Sequence, residues 1–153
     1  MSEYNEKLKE FYSNFGFAKK MVLATCKDER VTARTMSVIL INEIFYFQTD
    51  KTSIKYEQIA ANPLVALCLD NMQIEGVATV LGHPLHDDNN LFAITFENSY
   101  KGSFDAYSSL NNEVLIEVKP NKITLWEYES GKPYRVFFDI QGQTYSKEFY
   151  IGE

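Results

Sequence analysis

The sequence predicts a mainly β domain, built as a small antiparallel barrel or sandwich with helices at its ends. Three observations carry this. Six or more segments alternate apolar and polar residues with the two-residue period of strands, and turn pairs such as Asn42-Glu43 and Ser130-Gly131 join them. Helical spacing is confined to the N-terminus and the connections. A chain of 153 residues is long enough to bury roughly 70% of its unfolded surface in one core. No repeat, linker or low-complexity run divides residues 1–153, so one domain is expected.

Taken in order, Tyr4, Leu8, Phe11, Tyr12 and Phe15 recur at helical spacing, which predicts an amphipathic helix over 3–15 ending at Gly16. Then the period changes to two. "KMVLATC" reads as a strand, "KDER" as a turn, and "VTARTMSVILI" as a long strand. Its Val31, Ala33, Thr35, Ser37, Ile39 and Ile41 face opposite to Thr32, Arg34, Met36, Val38 and Leu40. "IFYFQT" returns as a third strand. "PLVALCLD" and "MQIEGVATVLG" form another pair, with Asn71 at the turn and Gly76 as a bulge or close-approach point. Residues 84–97 and 103–109 read as helical, with Leu91, Phe92 and Ile94 as the buried contacts. "EVLIEVK", "KITLWEYE" and "YRVFFDI" resume the strand pattern, and "QTYSKEFYIGE" reads as a strand or a tail.

Composition excludes several functions. Lys and Arg number 15 against 21 Asp and Glu, giving a net charge of -6, and the cations are dispersed. Nucleic acid and membrane surfaces are therefore not expected partners. Cys26 and Cys68 lie in apolar segments that read as buried strands, which points to a reducing compartment. No apolar run approaches the ~18 residues of a membrane span, and the acidic start is not a signal peptide, so a cytoplasmic location is expected. The glycines never stand at G-x-G spacing, and no G-x-S-x-G elbow occurs. His83 and His86 in "GHPLHDDNN" are interrupted by Pro84, and they read as a solvated helix start, not as metal ligands.

The stretch "QTDKTSIKYEQIAANPLVAL", Gln48 to Leu67, asks for more than capping. Thr52 or Ser53 can cap its helix, yet Lys55 stands in the first turn, where the helix dipole disfavours a cation. A bound phosphate would reverse that sign. Arg34 interrupts an apolar strand face, and an unpaired buried guanidinium is costly. Periodicity leaves two readings open: an anion site built from Arg34 and Lys55, or a rim Arg and a surface Lys.

The series "ARTMSVI", "YFQTDKTSIKYEQIAANPLVAL", "QIEG" and "ITLWEY", in this order and spacing, resembles the pyridoxamine 5'-phosphate oxidase-like FMN-binding split-barrel family from about Lys20 to Ile140. The resemblance implies a homodimer of six-stranded antiparallel split barrels, with FMN in each of two grooves at the interface. By position, Arg34 matches the family's phosphate-binding Arg, and Thr35, Met36 and Ser37 match the strand beside the flavin ring, where Met36 would supply wall. Gln48 and Thr49 match an aromatic-Thr pair at the ring, with Gln48 departing from the aromatic. Ser53 and Lys55 match the phosphate-binding helix start, with Ile54 in place of a second cation. Asn71 falls near a flavin-contacting Gln, and Trp126 falls on a Trp that reaches the cofactor from the partner chain.

The chain departs from the oxidase that gives the family its name. The second-strand Lys position is apolar at Ile39, "LFAITFENSYKGSFDAYSSL" has no Arg, and Arg135-Val136-Phe137 puts Phe where His would stand. Vitamin B6 oxidation is thus not expected. What remains is an FMN-binding oxidoreductase using a small-molecule substrate or a nicotinamide donor, with no catalytic residue assigned. Lys51, Tyr100, Tyr107 and Arg135 are the polar groups that could line the open ring face. The alternative is a flavin- or haem-binding carrier or sensor without turnover.

Overall fold

Ser2 accepts a hydrogen bond from the Asn5 amide at 3.2 Å, and Gly16, at φ 85°, stops the run, so the first amphipathic segment forms α1 (Glu3–Phe15). The computed structural model describes residues 2–151. After α1 come β1 (Ala18–Lys27), β2 (Arg30–Ile41), β3 (Ile44–Asp50), α2 (Ile54–Ala61), β4 (Leu64–Leu69) and β5 (Met72–Val80). A short 3-10 turn at Asp87–Asn89 leads into α3 (Asn90–Ser99) and α4 (Lys101–Tyr107). β6 (Glu113–Glu129), β7 (Lys132–Asp139) and β8 (Thr144–Phe149) complete the chain. β8 covers the first part of the closing segment; Gly152 and Glu153 lie outside the described residues.

Six strands close on themselves. β1 pairs with β2, β2 with β3, β3 with β6, β6 with β5, β5 with β4 and β4 with β1, all antiparallel. Closure removes the open edges and fills the interior with Phe45, Phe47, Leu67, Ile74, Ile116 and Ile123, all fully buried. The mainly β barrel with flanking helices is thus observed, and the sandwich alternative falls away. β7 and β8 extend outward from the second half of β6. α1 covers one side of the barrel, with Phe15 edge-on to Phe45 at 5.3 Å and Phe11 beside Phe138 at 6.3 Å.

Three expectations need correction. "EVLIEVK" and "KITLWEYE" are one 17-residue strand, because Pro120 falls at the bulge where β6 slips one residue past Glu75 and Gly76. Cys68 is exposed and Cys26 half-buried, since both sit on the outward face of the barrel wall while Leu67 and Thr25 point in. In α3, Leu91 and Ile94 are 59% and 51% exposed, while Phe92 and Phe96 pack with Ile39 and Leu115. The two rings at i and i+4 present the larger apolar area, and that pair decides which face docks.

Candidate functional site

At one end of the barrel, α2 lies over the β1–β2 hairpin. Ser53 caps the helix, accepting from the Tyr56 amide at 3.2 Å, and its hydroxyl lies 3.3 Å from that of Thr49 at the end of β3. Asp50 closes the turn before it, accepting from the Thr52 amide at 2.6 Å. Arg34 reaches the same end from β2. Its Nη1 donates to the Leu23 carbonyl at 3.3 Å and to the Thr25 hydroxyl at 2.8 Å, and its Nη2 donates to the Thr32 hydroxyl.

That pattern occupies both Nη1 hydrogens and one on Nη2. Nε–H and the second Nη2–H share the remaining edge of the planar fork, and among the described residues neither has a partner. Such an edge matches two oxygens of one anion. Lys55 is the nearby second cation: burial first, and then the like charge of Arg34, push its ammonium pKa down, while Glu113 and Asp50 pull it up. Burial lowers the Arg34 pKa as well. Among the described residues, no carboxylate lies within ion-pair distance of Arg34 or Lys55. Two cations held together without a counter-ion, beside two hydroxyls and a helix start, suit a phosphate.

The other sequence-derived residues distribute as follows. Thr35 and Ser37 face outward from β2, whereas Met36 turns inward opposite Met21 and packs against the core, so its side chain does not wall the outer face. Gln48 is buried; its Nε2 donates to Glu113 at 3.1 Å and its Oε1 accepts from Ser108 at 2.9 Å, so much of its amide is engaged within the chain. Asn71 and Trp126 meet each other: the Asn71 side chain donates to the Trp126 carbonyl at 2.8 Å. The Trp126 ring sits outward, beside Tyr150 at 5.6 Å, beyond the end of β6 that joins β3 next to α2. One chain thus gathers Arg34, Thr49, Ser53 and Lys55, and holds Asn71 with Trp126 elsewhere.

The four polar groups named for an open ring face lie on separate elements. The Tyr100 hydroxyl donates to the Val38 carbonyl at 3.0 Å, Tyr107 and Lys51 are exposed, and Arg135 lies over the rings of Phe137 and Tyr150. Among the described residues, the buried Nε of Arg135 has no hydrogen-bond partner. His83 and His86 are taken up by local backbone contacts, His83 with the Leu110 carbonyl and His86 with the Asp88 amide.

Sequence reasoning missed Thr25, Thr32, Gln58, Ser108 and Glu113. A polar residue on the docking face of α2 was the one available signal for Gln58. Glu113 is almost fully buried, and that burial, then Asp50, raise its pKa, while the bond from Gln48 acts in the opposite direction. The folded state therefore holds the Glu113 proton more tightly than the unfolded chain does. Its contribution to stability is complete below the ordinary Glu range and is lost as pH rises through the raised pKa. Glu113→Gln keeps an acceptor for Gln48 and is expected to flatten this decline. Urea midpoints between about pH 4 and pH 8 will measure it, and an unchanged slope would contradict the assignment.

A profile of the pyridoxamine 5'-phosphate oxidase family matches residues 4–127. The chain belongs to this family. The solved structures agree in fold. A pyridoxamine 5'-phosphate oxidase-related, FMN-binding protein from Nostoc punctiforme aligns at TM-score 0.60 and 16% identity, over 99% of this chain and 98% of that one. General stress protein 26 of Bacillus anthracis aligns at TM-score 0.61 and 22% identity, over 87% of this chain and 98% of that one. The haem storage protein HutZ of Vibrio cholerae aligns at TM-score 0.65 and 14% identity, over 81% of this chain and 95% of that one. A sequence search of curated proteins gives no significant match. Among the described residues, no helix is long and apolar enough to cross a membrane.

Proposed function

We propose that the chain is an FMN-binding flavoprotein and an oxidoreductase, with the flavin held between two copies of the chain. The observation that carries this is Arg34 on β2 near Lys55 at the start of α2, with one guanidinium edge free and no carboxylate in ion-pair range among the described residues. FMN, when bound, supplies electron and hydride transfer through its ring. The chain's own part is to bind and screen it. Arg34 takes two phosphate oxygens, Lys55 balances the remaining charge, and the hydroxyls of Thr49 and Ser53 donate from the helix start. Thr35 and Ser37, on the outward face of β2, border the ring.

The homodimer has its own support. The outward faces of β1, β2 and β4 carry Val22, Ala24, Val31, Ala33, Leu64, Ala66 and Cys68 side by side, with Val31 and Leu64 69% and 61% exposed. An apolar wall of this extent favours a second copy over water. A partner would also bring Asn71 and Trp126 to a flavin that their own chain leaves distant.

Purified protein is expected to be yellow, or to take up FMN with a flavin absorbance band, and to elute at twice its chain mass. A colourless protein that gains no such band on adding FMN would sink the reading. A carrier without turnover is the second reading. It is favoured by Ile39, fully buried where the family enzyme holds its substrate with Lys, and by Phe137 in the place of His. Bleaching of the flavin band by reduced nicotinamide, with recovery in air, separates the enzyme from the carrier.

A further inference from the structure

Gln58 is 2% exposed, on the face of α2 that meets the hairpin. A buried amide must satisfy both of its ends. Its Nε2 donates to the Arg30 carbonyl at 3.1 Å, and its Oε1 accepts from the hydroxyls of Thr25 and Thr32, each at 2.5 Å. The Arg30 carbonyl fixes which way the amide points, because the flipped amide would set two acceptor oxygens against each other. Each threonine hydroxyl has a single proton. Once both protons are given to Gln58, the two oxygens are left as acceptors, and both accept from Arg34.

We propose that Gln58 is a positioning residue for the anion site, acting through Thr25 and Thr32 to turn the Arg34 guanidinium so that its Nε/Nη2 edge is presented to a phosphate. The inference rests on the phosphate reading of the preceding section. Direct contact with the anion is not required of Gln58. It holds the end-on edge of Arg34 and thereby frees the side-on edge. It also ties the two halves of the site together, since Gln58 and Lys55 belong to one helix while Arg34 belongs to β2.

Titration of flavin fluorescence with FMN and with riboflavin tests this in wild type, Gln58→Met, Arg34→Ala and the double variant. Gln58→Met keeps the side-chain length and removes both amide ends. It is expected to weaken FMN binding roughly tenfold, the loss of one charge-assisted contact, while riboflavin, which lacks the phosphate, binds as before. The double variant is expected to bind FMN as Arg34→Ala does, because the amide has nothing left to position. Unchanged FMN affinity in Gln58→Met, an equal loss for both flavins, or additive losses in the double variant would overturn the proposal. Should Gln58→Met fail to fold, Thr32→Val removes one of the two relays at a half-exposed position; a loss for FMN alone supports the proposal, and no loss overturns it. If Arg34→Ala abolishes the preference for FMN while Gln58→Met retains it, only the positioning role fails. If the preference survives Arg34→Ala, the phosphate site fails, and this inference with it.

Discussion

Arg34→Ala is expected to raise the FMN dissociation constant by roughly 10- to 100-fold, the equivalent of about 1.5–3 kcal/mol for a charged contact to phosphate. Riboflavin binding should be unaffected, which separates loss of a phosphate contact from loss of the pocket. Arg34→Lys should recover only part of the loss, since an ammonium cannot offer the two parallel donors of the Nε/Nη2 edge. Lys55→Ala should weaken FMN binding by a similar factor and yet act in the other direction on the empty protein. Lys55 stands in the first turn of α2 and near Arg34, and its burial and the Arg34 charge outweigh the attraction of Glu113 and Asp50, so removing it relieves a net unfavourable charge. The dipole share alone is about 0.3–1 kcal/mol, and the urea midpoint of the FMN-free variant should rise accordingly. Opposite signs for stability and affinity mark a residue retained for binding. Full FMN affinity in both alanine variants would remove the phosphate assignment.

Gly76→Ala is the substitution expected to cost the fold most. A Cβ at Gly76 would stand 2.7 Å from the Lys119 carbonyl oxygen and 2.8 Å from Val118 Cγ1. The first of these is backbone of β6, held at Lys119 by its pairing with β5 and anchored on either side by the pairing with β3 up to Val118 and with β7 from Lys122. The position is also the bulge that lets β6 run on through Pro120, so the variant must distort the closure of the barrel or the second half of β6. Overpacking of this kind costs about 2–3 kcal/mol, read as a fall in the urea midpoint. Gly102→Ala is the matched control. It lies in α4 with nothing within 4 Å of a new Cβ, and alanine there should stabilise by up to ~1 kcal/mol. If Gly76→Ala proves as harmless as Gly102→Ala, the bulge is not as tight as its geometry indicates.

The parts of the site visible in the sequence are those with a local cause. A hydroxyl cap at Thr52 or Ser53 and Lys55 in a first turn follow from the order of residues along one helix, and the fold selects Ser53 as the cap. Arg34 was visible because it breaks an alternation that Met36, Val38 and Leu40 otherwise keep. The resemblance places Gln48 at the ring, but its engagement by Glu113 and Ser108 is not legible in the sequence, since those partners lie 65 and 60 residues further along. Gln58 was missed for the same reason: its meaning depends on Thr25 and Thr32, more than 25 residues earlier. Leu91 and Ile94 misled because helical spacing gives a stripe without saying which of two competing stripes docks.

The sequence by itself determined where strand and helix periods run, that a hydroxyl caps α2, that Gly76 is a bulge or close-approach point, and the unusual charge at the start of α2. Each is a matter of side-chain period or backbone conformation over a few residues. Tertiary structure decided the pairing of β3 with β6 and of β1 with β4, and with it which wall of each strand faces the core. It also decided that Arg34 lies near enough to Lys55 for their charges to repel, while Trp126 is held with Asn71 elsewhere. A two-residue period assigns side chains to two faces but does not name the inner one, and only closure of the barrel, by setting the register between distant strands, makes that choice.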